Sequence, residues 1–329
     1  MLKFILRRVI LFVPTLLAVS MVTFLLIQLP PGDYLSTIIY QLEQSGQEIN
    51  EALLSALRAR YGLDQPMYVQ YLRWISGIVL RGDFGYSMAH NRPVSDVIWE
   101  RLLWTFVISF STLIVTWIIA FPIAIYSATH QYSIGDYLFT FLGFVGRGIP
   151  DFMIALILMW IGFSVFNFGI GGLFSEEFRR APWSWAKFVD LLQHLWVPLV
   201  VLGTGGTAGL IRITRANLLD ELRKPYVITA RAKGLAERKV VWKYPVRVAL
   251  NPFISSVGYV LPGLISGSTI ISVVLSLPTT GPLLLSALLS QDMYLAGSFL
   301  FMLSTLTIIG TLISDILLAW VDPRIRMAG

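Results

Sequence analysis

The chain has 329 residues, of which 56% are hydrophobic and only 13% charged, with a net charge of +6. A water-soluble domain of this length carries about a quarter charged residues, so the bilayer is the main solvent and one membrane domain is the natural count. Cysteine is absent, which excludes disulfides and thiolate chemistry; His90, His130 and His194 are far apart, and none has a second ligand three or four residues after it, so no metal site is expected.

The first element is the apolar run 9–29. It is longer than a signal-peptide core of about 7–15 residues and lacks a small-x-small cleavage site before Pro30, so it is expected to stay as a first span. A helix crossing roughly 30 Å of hydrocarbon needs about 20 apolar residues. Six runs qualify: 9–29, 102–127, 138–166, 195–213, 253–275 and 298–321. They are continuous rather than alternating, which favours helices over barrel strands. Pro150 is expected to tilt, kink or split the third.

Residues 30–101 form a long first loop expected outside. Ser45 and Glu48 have capping-box spacing ahead of Ile49, Leu53, Ala56 and Leu57, a stripe that stops at Gly62. Asp64 suits a helix N-cap with Pro66 in the first turn, and Val69, Leu72, Ile75 and Val79 repeat at helical spacing.

Basic residues set orientation. Lys3, Arg7 and Arg8 precede the first span; Arg212, Arg215, Arg223, Lys224, Arg231, Lys233, Arg238, Lys239, Lys243 and Arg247 crowd the fourth loop; Arg324 and Arg326 follow the last span. With six spans, all three places share one side, so both termini are expected in the cytoplasm. The fifth loop (276–297) has no basic residue, and the third has only Arg179, Arg180 and Lys187. The second loop (128–137) has none either, which runs against the pattern.

Charges inside spans cost about 2.5–3.5 kcal/mol each, offsetting roughly six leucines at about 0.5 kcal/mol. Arg147 and Asp151 are four apart and expected to pair on one helix face, and Asp315 lies near the cytoplasmic end of the last span, where it could meet Arg147. A pathway or gate charge and a structural ion pair are both open readings. Gly205 with Gly209, and Gly263 with Gly267, give two GxxxG spacings for close helix packing.

The polar stretch 220–253 is the most informative. A helix should end at Pro225, residues 226–233 form one or two turns, Gly234 stops them, and 235–243 follow as a second short helix before Pro245. Leu235 and Val240 are expected as knobs for a groove on a partner, rimmed by Arg231, Lys233, Arg238 and Lys239. The alternative is a basic loop that only fixes topology and touches anionic lipid. No lysine is followed by Ser or Thr, so the phosphate-binding loop GxxxxGK[ST] is absent.

The segment TARAKGL, followed by a basic helix and RVALNP, resembles the EAA loop of ABC-importer permeases, and most of all the dipeptide, oligopeptide and nickel importer family. The resemblance covers nearly the whole chain. It includes the start LKFILRRVILFVPTLLAVSMVTFLLIQLPPGD, the external RARYGLDQPMYVQYLRWISGIVLRGDFGYS, RGIPDF in the third run, LPTTGPLLLSALLSQD before the last span, and ISDILLAWVDPRIR at the end. Thr229, Tyr244–Pro245 and Thr279–Thr280 depart from the family pattern.

This resemblance implies an all-α integral membrane fold: six transmembrane helices in a type I ABC-importer permease (MetI-like) bundle with a cytoplasmic coupling helix. Residues 1–101 would carry the first helix and an external loop subdomain, and 102–329 a five-helix core with its coupling loop at about 215–252. Ala230, Arg231, Ala232, Lys233, Gly234, Leu235, Glu237 and Arg238 would couple to the ATPase; Arg147, Asp151 and Asp315 would serve the pathway or gate. The implied partners are a second homologous permease, two ATP-binding subunits holding ATP and Mg, an extracytoplasmic substrate-binding protein and membrane lipid, with no nucleic acid. The chain itself would need no cofactor. It would be a multi-pass protein of a bacterial or archaeal cytoplasmic (inner) membrane, importing short peptides, with oligosaccharides or nickel as the alternative. An integral-membrane enzyme would need paired carboxylates or a His cluster in the bundle, and a lone proton-coupled carrier would be expected to show internal repeats.

Overall fold

The computed structural model describes residues 2–29, 64–166, 169, 171–253 and 269–321, with isolated positions between 34 and 59. In chain order the elements are α1 (Leu2–Gln28), α2 (Met67–Arg81), β1 (Tyr86–Ser87), β2 (Arg92–Pro93), α3 (Val94–Thr129), α4 (Ile134–Gly148), α5 (Asp151–Phe166), α6 (Glu176–Arg179) and α7 (Trp185–Leu222). They continue with α8 (Pro225–Ala232), α9 (Glu237–Lys243), α10 (Pro245–Ala249), α11 (Thr269–Val274), α12 (Thr280–Leu289) and α13 (Met293–Val321). Among the described residues, four helices are long and apolar enough to cross a membrane: Arg8–Gln28, Val94–Thr129, Trp185–Leu222 and Met293–Ile316. The third apolar run becomes α4 and α5, bent by 97° where Pro150 interrupts the helix. The fifth, 253–275, lies mostly outside the described residues, as do the stripe from Ser45 to Leu57, Gly263, Gly267, Arg324 and Arg326.

The chain divides into two compact units. The first comprises Met1–Trp104 and Thr279–Ile309. Here α2 packs an aromatic face against α1 and α13: Phe24, Tyr71, Trp74 and Phe301 form a cluster, with Phe24 and Tyr71 ring centres 5.5 Å apart. Trp74 donates its indole N–H to Ser298 Oγ at 3.1 Å, and Tyr71 shares a 2.8 Å hydrogen bond with Ser20. This rotates α2 away from the aliphatic stripe expected for it. Ile75 does join the cluster, but Leu72 and Val79 are 58% and 67% exposed. The expected Asp64 cap is not used either; α2 starts after Pro66, whose carbonyl accepts the N–H groups of Val69 and Gln70. The left-handed Gly82 ends the helix, and Asp83 N–H bonds back to Gly77. Strands β1 and β2 pair antiparallel, and buried Asp292 holds the hairpin by accepting from Ser87 Oγ (2.6 Å) and Ala89 N (3.0 Å).

The second unit comprises Thr105–Pro278 and Gly310–Gly329. Its scaffold is α7, 38 residues and so about 57 Å long. Ser184 caps its start by accepting Lys187 N–H. The apolar run 195–213 is only the middle of this helix, because hydropathy marks lipid contact and not the polar turns beyond it. Helix α4 runs antiparallel along α7. A Cβ on Gly146 would meet Thr204 Cγ2 at 2.6 Å, and one on Gly143 would lie 3.7 Å from Ala208. These glycines, rather than Gly205 with open space about it, permit the closest approach.

Near the start of α7, Lys187 donates to Ala181 O and stands over the rings of Phe174 and Trp183 at 4.9 and 5.4 Å. Asp190 accepts Ser175 N–H, and buried His194 sits one turn after it, 3.6 Å from its carboxylate. Asp190 lies four residues before His194, so a pattern read forward from the histidine does not contain it. No group of three metal-ligating side chains occurs among the described residues.

Candidate functional site

Beyond α7 the chain turns through three short helices, an elbow whose shape follows from its punctuation. Pro225 occupies the first turn of α8 and Pro245 that of α10, where a missing N–H costs nothing. Between them Gly234 takes a φ of +75°, with no atom within 4 Å of where a Cβ would stand. Backbone conformation alone therefore selects glycine. Gly234 N–H bonds to Arg231 O at 2.9 Å and Leu235 N–H to Ala230 O at 3.4 Å, the two bonds of a Schellman stop. The apolar contact of that motif is also present, since Leu235 packs against the cluster of Val227, Ala230 and Val240.

That cluster corrects the expectation for Val240. It is fully buried and so is no knob for a partner; with Val227 and Ala230 it forms the core that holds α8 on α9. Each buried valine contributes about 1.5–3 kcal/mol. Leu235 is half-buried on the same core. A second cluster, Val241, Val246 and Ala249 with Leu218 and Ala128, seats the elbow on the ends of α7 and α3. Phe121 meets Trp242 edge to face at 6.0 Å beside it.

The outward face is polar. Arg231, Ala232, Lys233, Gly234, Glu237, Arg238 and Lys239 are exposed, whereas Ala230 is buried. Arg231 forks onto Glu237, with Nη2 2.6 Å from Oε1 and Nε 3.0 Å from Oε2, and so bridges the glycine turn. The Arg231 hydrogen bond holds the Glu237 carboxyl below its ordinary range and raises the guanidinium in return. Burial, then the hydroxyl's hydrogen bond to Glu221, pushes the Tyr226 phenol above its usual value.

A further anchor escaped the sequence reading. Arg215, counted only as an orientation signal, donates Nε and Nη2 to the two oxygens of buried Asp136 at 2.8 and 2.6 Å. Asp136 also accepts Tyr132 N–H at 3.0 Å. The second loop thus has no basic residue of its own but is fastened to one by its aspartate. An acidic residue in the first turn of α4, facing an arginine cluster elsewhere, was the available signal.

The intramembrane charges are arranged differently from expectation. Arg147 ends α4 and Asp151 begins α5, on either side of the 97° bend, so they do not share a helix face. No ion pair joins them among the described residues. Arg147 instead lies over Gly209, where a Cβ would come within 3.1 Å of its Nη1. Asp315 is half-buried on α13. Among the described residues no ion pair joins Asp315 to Arg147.

Comparison with known proteins matches residues 120–327 to the family described as binding-protein-dependent transport system inner membrane component, and residues 1–109 to the N-terminal part of the same components. The chain is 35% identical over 330 residues to the oligopeptide transport system permease protein AppB of Bacillus subtilis, covering 99% of this chain and 100% of that one. It is 30% identical to the peptidoglycan transport system permease protein YejB of Agrobacterium fabrum (98% and 97% covered). It is 32% identical to the glutathione transport system permease protein GsiC of Salmonella paratyphi A (99% and 99% covered). The full-length matches and the apolar helices agree on a multi-pass inner-membrane protein, a permease subunit and not an enzyme. The chain belongs to the binding-protein-dependent transport system inner membrane components, the permeases of ABC importers.

Proposed function

We propose that this permease imports short peptides, with α8, the Gly234 turn and α9 as the element that receives motion from an ATP-binding subunit. Six spans, both termini in the cytoplasm, a second homologous permease completing a heterodimer, two ATP-binding subunits and an external substrate-binding protein complete the assembly. ATP and Mg belong to the ATP-binding subunits. Peptide is the favoured cargo because the relatives' names refer to oligopeptide, glutathione and peptidoglycan transport; oligosaccharide and nickel are the alternatives.

The observation that carries the reading is the combination of a polar exposed face with an apolar seat. Arg231, Lys233, Glu237 and Arg238 are exposed, yet the helices bearing them are fixed on buried valines and on the end of α7. A loop serving only as a topology signal needs positive charge but no core of its own. A seated elbow transmits displacement as a rigid body. Arg147 and Asp315 remain pathway or gate candidates, with Asp151 at the bend.

The test is uptake of labelled short peptides, oligosaccharides and nickel into vesicles holding this chain, its partner permease, the ATP-binding subunits and the binding protein. Peptide uptake should require ATP and fall at least tenfold with Gly234→Val while the assembly still forms. Uptake by this polypeptide alone under a pH gradient would refute it.

A further inference from the structure

Arg147 and Arg212 stand at one end of an apolar groove between α4 and α7. A cavity of about 220 Å³ is lined by both arginines, Phe139, Phe144 and Ile211. An adjoining cavity of about 300 Å³ shares Phe139, Gly143, Ala208 and Ile211 with it and continues past Leu142, Leu199 and Val200. Arg215, at the same end, is already neutralised by Asp136. Neither Arg147 nor Arg212 has an anionic partner among the described residues.

The direction of the Arg147 side chain is informative. Its neighbour Gly146 faces Thr204, whereas its own guanidinium reaches Gly209. It therefore runs about 7 Å along α7, toward Arg212 and away from the middle of the span. This is how a long cationic side chain inside a span reaches the membrane interface. Both arginines are exposed; two guanidiniums close together without a carboxylate at a membrane surface attract an anionic headgroup, and their planar forks fit a phosphate. Leu142, Leu199, Val200 and Ile211 dominate a wall that also includes Thr204 and Thr207; Thr204 already donates its hydroxyl to Val200 O at 2.6 Å, and the groove fits an acyl chain.

We infer that this groove is a binding site for an anionic phospholipid, with its phosphate on Arg147 and Arg212 and one acyl chain along α4 and α7. The inference gives Arg147 a lipid-facing role in place of the pathway one, and it requires only that the chain lies in a membrane, so it stands or falls separately from the coupling role of the elbow.

The test is native mass spectrometry of the full chain, assembled with its partners, after exchange into phosphatidylglycerol or phosphatidylcholine. Phosphatidylglycerol should be retained preferentially. Arg147→Gln and Arg212→Gln should each weaken retention about fivefold, and together about twenty- to thirtyfold, with lysine at both positions restoring most of it. Gly143→Leu should displace the lipid by filling the groove. Melting of each variant in phosphatidylcholine separates lost binding from misfolding. Equal retention of both lipids by the unaltered chain would overturn the inference, as would full retention by the double glutamine variant. So would competition by inorganic phosphate alone, or cross-linking of Gly143→Cys to the second permease in place of lipid.

Discussion

The elbow at 223–250 and the β1–β2 hairpin are both polar pieces on a chain dominated by apolar helices, yet they are held in different ways. The α8–α9 turn of the elbow closes on itself: the Gly234 stop, the Arg231–Glu237 fork and the Val227–Val240 core all join residues fewer than about fifteen positions apart. The hairpin depends on Asp292, whose partners Ser87 and Ala89 are 205 and 203 residues away. A local device can keep its shape while its outer surface changes. A distant one cannot form until the last part of its unit is in place.

That contrast gives an order of expected effects. Asp292→Ala removes a buried carboxylate that satisfies two hairpin donors and Leu295 N–H, and should cost about 3–4 kcal/mol. Thermal unfolding of the full chain in detergent measures it; a loss below 1 kcal/mol would mean that water replaces Asp292 and that the hairpin is not held at a distance. Val240→Ala trims the elbow's core and should cost about 2 kcal/mol, read as faster proteolysis at 225–245 with the rest of the chain protected. Gly234→Val forces a branched side chain into a left-handed turn with open surroundings, for about 1–2 kcal/mol. Gly234→Asn should recover most of that loss in the same assay, since asparagine tolerates the conformation.

The smallest effect concerns the exposed fork. Arg231→Ala should change stability by less than about 1 kcal/mol. Its acid dependence has a definite sign. Because Glu237 is held below its ordinary value, the fork's contribution is complete above the ordinary glutamate value, about 4.3, and fades as pH falls through the lower folded value. Proteolysis across 231–237 from pH 7 to 3 should therefore increase only in the acid part of the range; an increase already at pH 6 would contradict the assignment.

What could be read from the sequence follows the same division. Pro225, Gly234 and Pro245 punctuate locally, so the elbow's helices fall close to where they were expected. The continuous apolar runs likewise locate α1, α3, α7 and α13, and Pro150 marks the break between α4 and α5. Side-chain direction was much less accessible. Val240 has the spacing of an exposed knob, but the way the connection 233–236 turns α9 back onto α8 cannot be derived from periodicity, and Val240 faces inward. Trp74 rotated α2 because one large ring with an N–H to satisfy outweighs several aliphatic contacts. The Asp136–Arg215 pair spans 79 residues, and the acidic residue in the first turn of α4 hints at a basic partner without saying which arginine it is.

The 38-residue length of α7 has a mechanical consequence. The elbow is mounted on one tip of a rod about 57 Å long, and Lys187 and Asp190 tie its opposite tip to Ala181 and Ser175 by polar contacts. If that far tip acts as a pivot, a tilt of only about 5° would swing the near tip by about 5 Å, close to one helical turn. Small angular strokes at the pivot and large linear ones at the mount are then the same movement seen from two ends.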